Sequence, residues 1–244
     1  MRTKRVVIVG ATSGIGMEIV KSYLNSGDYI IGVAGRREEL LAELQAISSE
    51  TVYTERIDIT NEEAPAALLR LAEKMGGMDI FILSSGIGHS NYTLEPSLEI
   101  RTARTNTEGF IRMTTAAFNY FTEKGGGHIA VITSIAGTKG LGMSPAYSAT
   151  KRFQSNYIDA LAQLARLRKL HIRFTDIRPG FVDTDLIQKG KYPMIMKPGV
   201  VARKIVKAIK REKRRVVVDY RYRVIVSIWK RVPLWLWERL PIRA

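Results

Sequence analysis

Tyr147 and Lys151 stand four residues apart in the segment Tyr147-Ser148-Ala149-Thr150-Lys151. In a helix, positions i and i+4 share one face, so this segment would present a phenol and an ammonium side by side. A cation beside a phenol favours the phenolate, so the tyrosine pKa is expected to fall below its free value of about 10. Such tuning suits a proton donor working near neutral pH. Upstream, Ile132-Thr133-Ser134-Ile135-Ala136-Gly137 follows an apolar run and offers a hydroxyl at Ser134. Ser134, Tyr147 and Lys151 form a candidate acid–base set, and the other elements must bring a reactant to it.

The chain begins with Arg5-Val6-Val7-Ile8-Val9-Gly10, which reads as a short buried strand ended by glycine. Gly10-Ala11-Thr12-Ser13-Gly14-Ile15-Gly16 follows, then an amphipathic run to Ser26. Glycines at a strand-to-helix turn let a pyrophosphate approach the backbone, and the helix N-terminus meets its charge. Residues 28–35 read as a second strand closed by Gly35, with Arg36-Arg37 next. An acid at this strand end would bind a ribose 2′-hydroxyl. Two guanidiniums and no carboxylate suit a 2′-phosphate instead, so NADP(H) is expected over NAD(H). The plainer alternative is that Arg37 is a solvated residue of the next helix.

Residues 38–48 read as a helix, 51–56 as a third strand, 62–75 as a helix and 78–83 as a fourth strand. Between them, Asp58-Ile59-Thr60 offers a carboxylate to an adenine amine, or is an ordinary turn or helix cap shared with Asn61. After the fourth strand, Ser84-Ser85-Gly86-Ile87-Gly88 is small enough for close approach of a planar ligand. The helical segment 96–122 contains Asn106 and Gly109, which lower helix propensity and mark a kink or a functional group. Strands at 128–133 and 171–177 flank the helix 147–169. Arg178-Pro179-Gly180-Phe181-Val182-Asp183-Thr184-Asp185 comes next, then a helix at 199–211 and a seventh strand at 215–219. This alternation predicts an α/β fold: a Rossmann-type doubly wound parallel sheet of seven strands with helices on both faces. His89, His128 and His171 are scattered without metal-ligand spacing and read as structural, so no metal site is expected.

With 244 residues and 45% hydrophobic content, the chain suits one large α/β domain. It has no cysteine, which excludes disulfide and thiol chemistry and is compatible with a reducing cytosol. Met1-Arg2-Thr3-Lys4-Arg5 leads straight into the first strand and lacks the pattern of a secretory signal.

In order and at matching separations, these motifs resemble the short-chain dehydrogenase/reductase family over residues 4–220. Gly10, Gly14, Ile15 and Gly16, with Thr12 and Ser13 between them, resemble its cofactor turn, and Asp58 with Ile59 its adenine contact. Ser84-Ser85-Gly86 stands where the family often has Asn-Ala-Gly. Asn106, Ser134, Tyr147 and Lys151 match its catalytic tetrad, and Pro179-Gly180, Val182 and Thr184 its nicotinamide-side segment. Val9 departs from the usual Thr, and Leu83 with Ser84 from two usual Asn; in the family those residues tie strands to turns. The resemblance implies a carbonyl–alcohol oxidoreductase. Ser134 would bind the carbonyl oxygen and Tyr147 would donate the proton. Lys151 would lower the Tyr pKa and bind the nicotinamide ribose, and Asn106 would hold a relay water. It also implies a homo-oligomer, dimer or tetramer. A scaffold or redox sensor that binds NADP(H) without useful turnover is the alternative. The loops 88–96, 138–144 and a lid at 185–198 would select an apolar substrate through Tyr92, Leu141, Met143, Phe181, Leu186, Tyr192, Met194, Ile195 and Met196, unless these pack beneath the lid.

The formal charge is +15, and residues 201–244 hold fourteen Lys/Arg against three acids, a net +11 that leaves +4 for the rest. Residues 1–220 read as the domain and 221–244 as a basic extension that holds all three tryptophans. Lys230, Arg231 and Pro233 interrupt its apolar run, so it is not expected to span a bilayer. Peripheral membrane contact through 221–241, a subunit contact and a cover for the pocket stay open. Nucleic acid is not expected, since no reader motif is present. Together these features suit a cytoplasmic protein, peripheral at a membrane surface if the extension docks there.

Overall fold

A computed structural model describes residues 3–187 and 192–242 of the protein; positions 188–191 of the expected lid lie outside the described residues. The strands are β1 (Lys4–Val9), β2 (Tyr29–Gly35), β3 (Val52–Arg56), β4 (Ile80–Leu83), β5 (Gly127–Ile132), β6 (Ile172–Arg178) and β7 (Arg215–Val217). They form one sheet in the order β3-β2-β1-β4-β5-β6-β7, and every pairing is parallel. The helices are α1 (Gly14–Leu24), α2 (Glu38–Ile47), α3 (Ala64–Lys74), α4 (Pro96–Ala103), α5 (Phe110–Glu123), α6 (Pro145–Leu167), α7 (Pro198–Lys210), α8 (Tyr220–Arg231) and α9 (Leu234–Trp237).

The unbroken apolar strands are explained by burial on both faces. Successive side chains alternate across a strand. Val6 and Ile8 of β1 therefore enter the core beneath α1, α7 and α8, while Val7 and Val9 enter the core beneath α3, α5 and α6. Ile82 and Phe81 of β4 divide in the same way. Each fully buried Val, Ile or Phe contributes roughly 1.5–3 kcal/mol of transfer free energy, so this alternation decides the strand register.

The order of strands reverses between β1 and β4. In open α/β sheets such a switch point leaves a crevice at the carboxyl ends of the strands, where ligands bind. Here Val9 C=O accepts the backbone N–H groups of Ser84 and Ser85, at 2.8 and 3.1 Å, and so joins the two turns that border the crevice.

The helical stretch expected at 96–122 is divided. Between α4 and α5, Arg104–Gly109 form a π-helical segment that contains Asn106. The segment beyond 220 is folded back onto the domain, with Tyr222 and Val226 of α8 in the core and Trp237 of α9 buried. Among the described residues no helix is long and apolar enough to cross a membrane.

Candidate active site

Helix α6 carries the Tyr/Lys pair and starts two residues before Tyr147, at Pro145. Proline fits the first helical position because its missing N–H would have no intrahelical partner there. The next N–H, from Ala146, donates to the Glu99 carboxylate at 2.9 Å, and the other Glu99 oxygen accepts Asn91 Nδ2 at 2.8 Å. An acid at a helix N-terminus satisfies an orphan donor and complements the dipole. Glu99 thus fixes the turn from which Tyr147 projects.

Ser134 follows β5. Its hydroxyl accepts the Ala136 N–H at 3.1 Å and hydrogen-bonds the Tyr147 phenol. Ile135 N–H donates to Pro179 C=O at 3.0 Å, which ties the serine turn to the segment after β6. Lys151 is buried; its Nζ donates to Ile132 C=O at 3.0 Å and to Gln154 Oε1 at 3.1 Å, and lies 5.7 Å from the Tyr147 ring centroid. The structure brings Ser134, Tyr147 and Lys151 together.

The electrostatics differ from the sequence-based expectation. Burial pushes the Tyr147 phenol above its ordinary pKa, and the Ser134 hydrogen bond opposes this without overcoming it. Burial pushes Lys151 down to about 8, against the opposing pull of the Asp176 carboxylate. Desolvation therefore sets the direction of the Tyr147 shift, opposite to the one expected from the Tyr/Lys spacing.

Asn106 is fully buried within the π-helical segment. Its Oδ1 accepts Ile87 N–H at 2.9 Å, and its Nδ2 donates to Ile87 C=O at 2.7 Å and Thr150 Oγ1 at 3.2 Å. Its backbone carbonyl accepts Gln154 Nε2 at 2.8 Å. Gln154 therefore bridges Lys151 to Asn106. Gln154 stands three residues beyond Lys151, a helical spacing that could have singled it out.

Beneath Lys151 lies a buried charge pair that sequence reading missed. Asp176 is fully buried; it accepts Thr133 Oγ1 at 2.5 Å and pairs with Arg178 Nε and Nη2 at 2.8 and 2.7 Å. Its sequence signal is an acid inside an otherwise core-facing strand.

The cofactor-turn residues gather at the crevice. Gly10 has φ +87°, and a Cβ there would stand 2.6 Å from Ser85 N, so glycine is required for both reasons. Gly14 faces Thr184: a Cβ on the former would lie 3.2 Å from the latter's methyl. Gly86 lies against Asn106 and Lys151, each 3.3 Å from where its Cβ would be. Ser13 is the N-cap residue of α1, which begins with Gly14, Ile15 and Gly16. Arg37 is not merely solvated: its Nη2 donates to Thr12 O at 2.9 Å and Thr12 Oγ1 at 3.1 Å. Arg36 is exposed, and its charge acts on Asp58. Asp58 Oδ1 accepts Thr60 N at 3.0 Å and Thr60 Oγ1 at 2.8 Å. Burial raises the Asp58 pKa, but the Thr60 bonds and the Arg36 and Arg56 charges together bring it below the ordinary value. The Ile59 side chain belongs to the core, as does that of Val182.

Of the expected substrate-selecting residues, Met196 is buried and bridges Val182, and Met194 packs on the same core. Tyr192 lies against Phe181 with ring centroids 4.9 Å apart. Tyr92, Leu186 and Ile195 are exposed, while Leu141 and Met143 are half-buried.

The family profile described as short chain dehydrogenase matches residues 4–192. An uncharacterised oxidoreductase of Mycobacterium tuberculosis is 28% identical over 227 residues, covering 89% of this chain and 88% of that one. The NADP-dependent 3-hydroxy acid dehydrogenase of Escherichia coli is 30% identical, with 72% of each chain covered. Among solved structures, an alcohol dehydrogenase of the archaeon Thermococcus sibiricus, complexed with 5-hydroxy-NADP, has the same fold. Its TM-score is 0.75 at 22% identity, covering 88% of this chain and 95% of that chain.

Proposed function

Since the chain belongs to the short-chain dehydrogenase/reductase family, we propose that it is an NADP(H)-dependent oxidoreductase interconverting a carbonyl and an alcohol, with Tyr147 as the acid/base. The observation that carries this reading is the convergence of Ser134, Tyr147 and Lys151 beside the glycine turn.

The residues at the crevice fit a dinucleotide. Gly10, Thr12, Ser13, Gly14, Ile15 and Gly16 would receive the pyrophosphate at the α1 N-terminus. Asp58 and Ile59 would border the adenine, and Ser85 and Gly86 the ribose and nicotinamide. Pro179, Gly180, Val182 and Thr184 would flank the nicotinamide. Arg36 and Arg37, with no carboxylate at the end of β2, favour a 2′-phosphate. The E. coli relative and the Thermococcus structure, both named with NADP, support the same preference.

When bound, the nicotinamide supplies hydride to the carbonyl carbon and accepts it back from the alcohol. Ser134 and Tyr147 would hydrogen-bond the substrate oxygen. A phenol held above its ordinary pKa keeps its proton at neutral pH, so Tyr147 is loaded to protonate that oxygen in the reductive direction. An ammonium has three donors, and two of Lys151's are taken by Ile132 O and Gln154. The third would bind the ribose and favour the phenolate left after proton transfer. Asn106 would hold Ile87, Thr150 and Gln154 in place around Lys151 and, as the family resemblance implies, position a relay water. The substrate is a small carbonyl or alcohol with an apolar body. As in its family, the protein would work as a homo-oligomer.

The test is a fluorescence titration with NADPH and NADH, followed by NADPH depletion against ketones, aldehydes, quinones and acyl-thioester ketones. NADPH should bind more tightly. Tyr147→Phe should reduce turnover by about 10²–10⁴-fold while NADPH binding persists. Near-native turnover in that variant would overturn the mechanism, and a preference for NADH would overturn the reading of Arg36 and Arg37.

A further inference from the structure

Helices α8 and α9 are two-sided. Tyr222 and Val226 of α8 turn into the core, while Tyr220, Val224 and Ile228 lie exposed at successive turns. Leu234, Trp235, Leu236 and Leu240 of the next segment are exposed as well, with Trp235 61% and Leu234 63% accessible, so seven exposed apolar side chains fall within twenty-one residues. Across a folded protein, exposed apolar side chains are normally scattered; a contiguous run marks an interaction surface.

Arg223, Lys230, Arg231 and Arg239 add four cations to this segment against one acid, Glu238, while Arg221 is paired with Asp219 at 3.0 Å. Arg231 and Arg239 bend back to bond the carbonyls of Ser227 and Trp235, and the Arg239 guanidinium lies 5.8 Å from the Trp235 ring centroid. Long basic side chains laid along apolar surface with their charge at its margin suit a boundary between hydrocarbon and anionic headgroups. A second copy of this chain would oppose cation to cation at the same surface.

The same helices hold the loops around the site. Trp237 Nε1 donates to Gly140 O at 2.7 Å, and Lys139 Nζ donates to Val232 O at 2.9 Å. The Tyr222 hydroxyl accepts Phe181 N–H at 3.2 Å and donates towards Pro193 O at 2.9 Å and Met194 O at 3.1 Å. A surface that seats the helices therefore bears directly on two of the three segments expected to select the substrate.

We propose that the exposed face of α8 and α9 docks on an anionic phospholipid bilayer, and that the site beneath takes an amphiphilic carbonyl or alcohol dissolved in that bilayer. The substrate half rests on the oxidoreductase reading above; the docking half does not.

Full-length protein would be floated at low ionic strength with vesicles of phosphatidylglycerol and phosphatidylcholine mixed about one to two. It should rise with these vesicles and stay behind with phosphatidylcholine alone. The double variant Ile228→Glu/Trp235→Glu should partition about tenfold more weakly or less, since two inserted apolar groups become anions. Both positions are exposed, so melting and NADPH binding should match wild type. NADPH consumption would then be followed with a long-chain methyl ketone carried in the mixed vesicles, and with cyclohexanone in water. The double variant should lose the first activity about in proportion to its partition and keep the second. Failure of wild type to float with the anionic vesicles overturns docking. Loss of a dimer on sedimentation of the double variant, without flotation of wild type, assigns the face to a second copy and also overturns it. Flotation with equal long-chain turnover in wild type and variant overturns the substrate half. Flotation without turnover of any carbonyl supports docking and counts against the oxidoreductase reading itself.

Discussion

Asp176→Asn isolates the buried charge pair under the site. The side chain of Asp176 is fully buried and that of Arg178 is 10% exposed, with contacts at 2.7 and 2.8 Å. Asparagine keeps the shape and can still accept Thr133 Oγ1, but it leaves the guanidinium without a counter-charge. Removing one partner of a buried pair costs about 3–5 kcal/mol, because the other charge remains desolvated. Arg215 also approaches Asp176, at 3.6 Å, but it is 43% exposed, so solvent screening makes its share small. For a chain of this size each kcal/mol shifts Tm by about 2–4 °C, so a loss near the lower bound predicts a fall of about 6–12 °C. The Asp176 charge also raises the Lys151 pKa against burial. Its removal should move Lys151 further below about 8 and shift the pH profile of turnover to lower pH. Adding Arg178→Gln removes the stranded charge and should restore part of the stability. The assays are thermal denaturation and turnover against pH. A Tm within about 2 °C of wild type, with an unmoved pH profile, would refute the reasoning.

Two further outcomes follow from the same structure. Lys151 has a folded pKa of about 8, below its model-compound value of 10.5, so the unfolded chain binds more protons between those values and stability should rise with pH across that window. Lys151→Met should accordingly be more stable than wild type at pH 7, by an upper limit of about 3 kcal/mol, and denaturant titrations should show the gap closing as pH rises through the window; a constant gap would contradict the buried-ammonium account. In Gly180→Ala, the new methyl would overlap the Tyr222 ring. Overpacking of that kind costs about 1–3 kcal/mol, and a Tm equal to wild type would show that α8 is not seated as described.

The parallel sheet was legible because each buried strand reads as an apolar run separated from the next by a helix-length amphipathic segment. The Tyr147/Lys151 spacing and the glycine turn were legible for a similar reason: local geometry fixes what i and i+4 share and where a positive φ is needed. The direction of the Tyr147 shift was not legible. It depends on how much protein covers the phenol, and that cover comes from distant parts of the chain. Asn106 was found by its helix-weakening character, but a sequence does not say that Ile87, Thr150 and Gln154 take up its polar atoms. Met194 and Met196 looked equally suited to pocket and core; burial places Met196 in the core, with Met194 packed against it. Tyr222 and Trp237 read as parts of an amphipathic extension. Their long-range partners, Phe181 and Gly140, lie 41 and 97 residues away.

Those separations bear on the order in which the protein matures. Synthesis proceeds from the N-terminus, and structure accrues as segments emerge from the ribosome. The glycine turn and the Ser85–Gly86 turn meet through residues among the first ninety, whereas the loops at 139–140 and 193–194 are fastened by Tyr222, Val232 and Trp237. A ribosome-bound chain can therefore join its first two turns well before the last helices emerge to fasten the loops at 139–140 and 193–194.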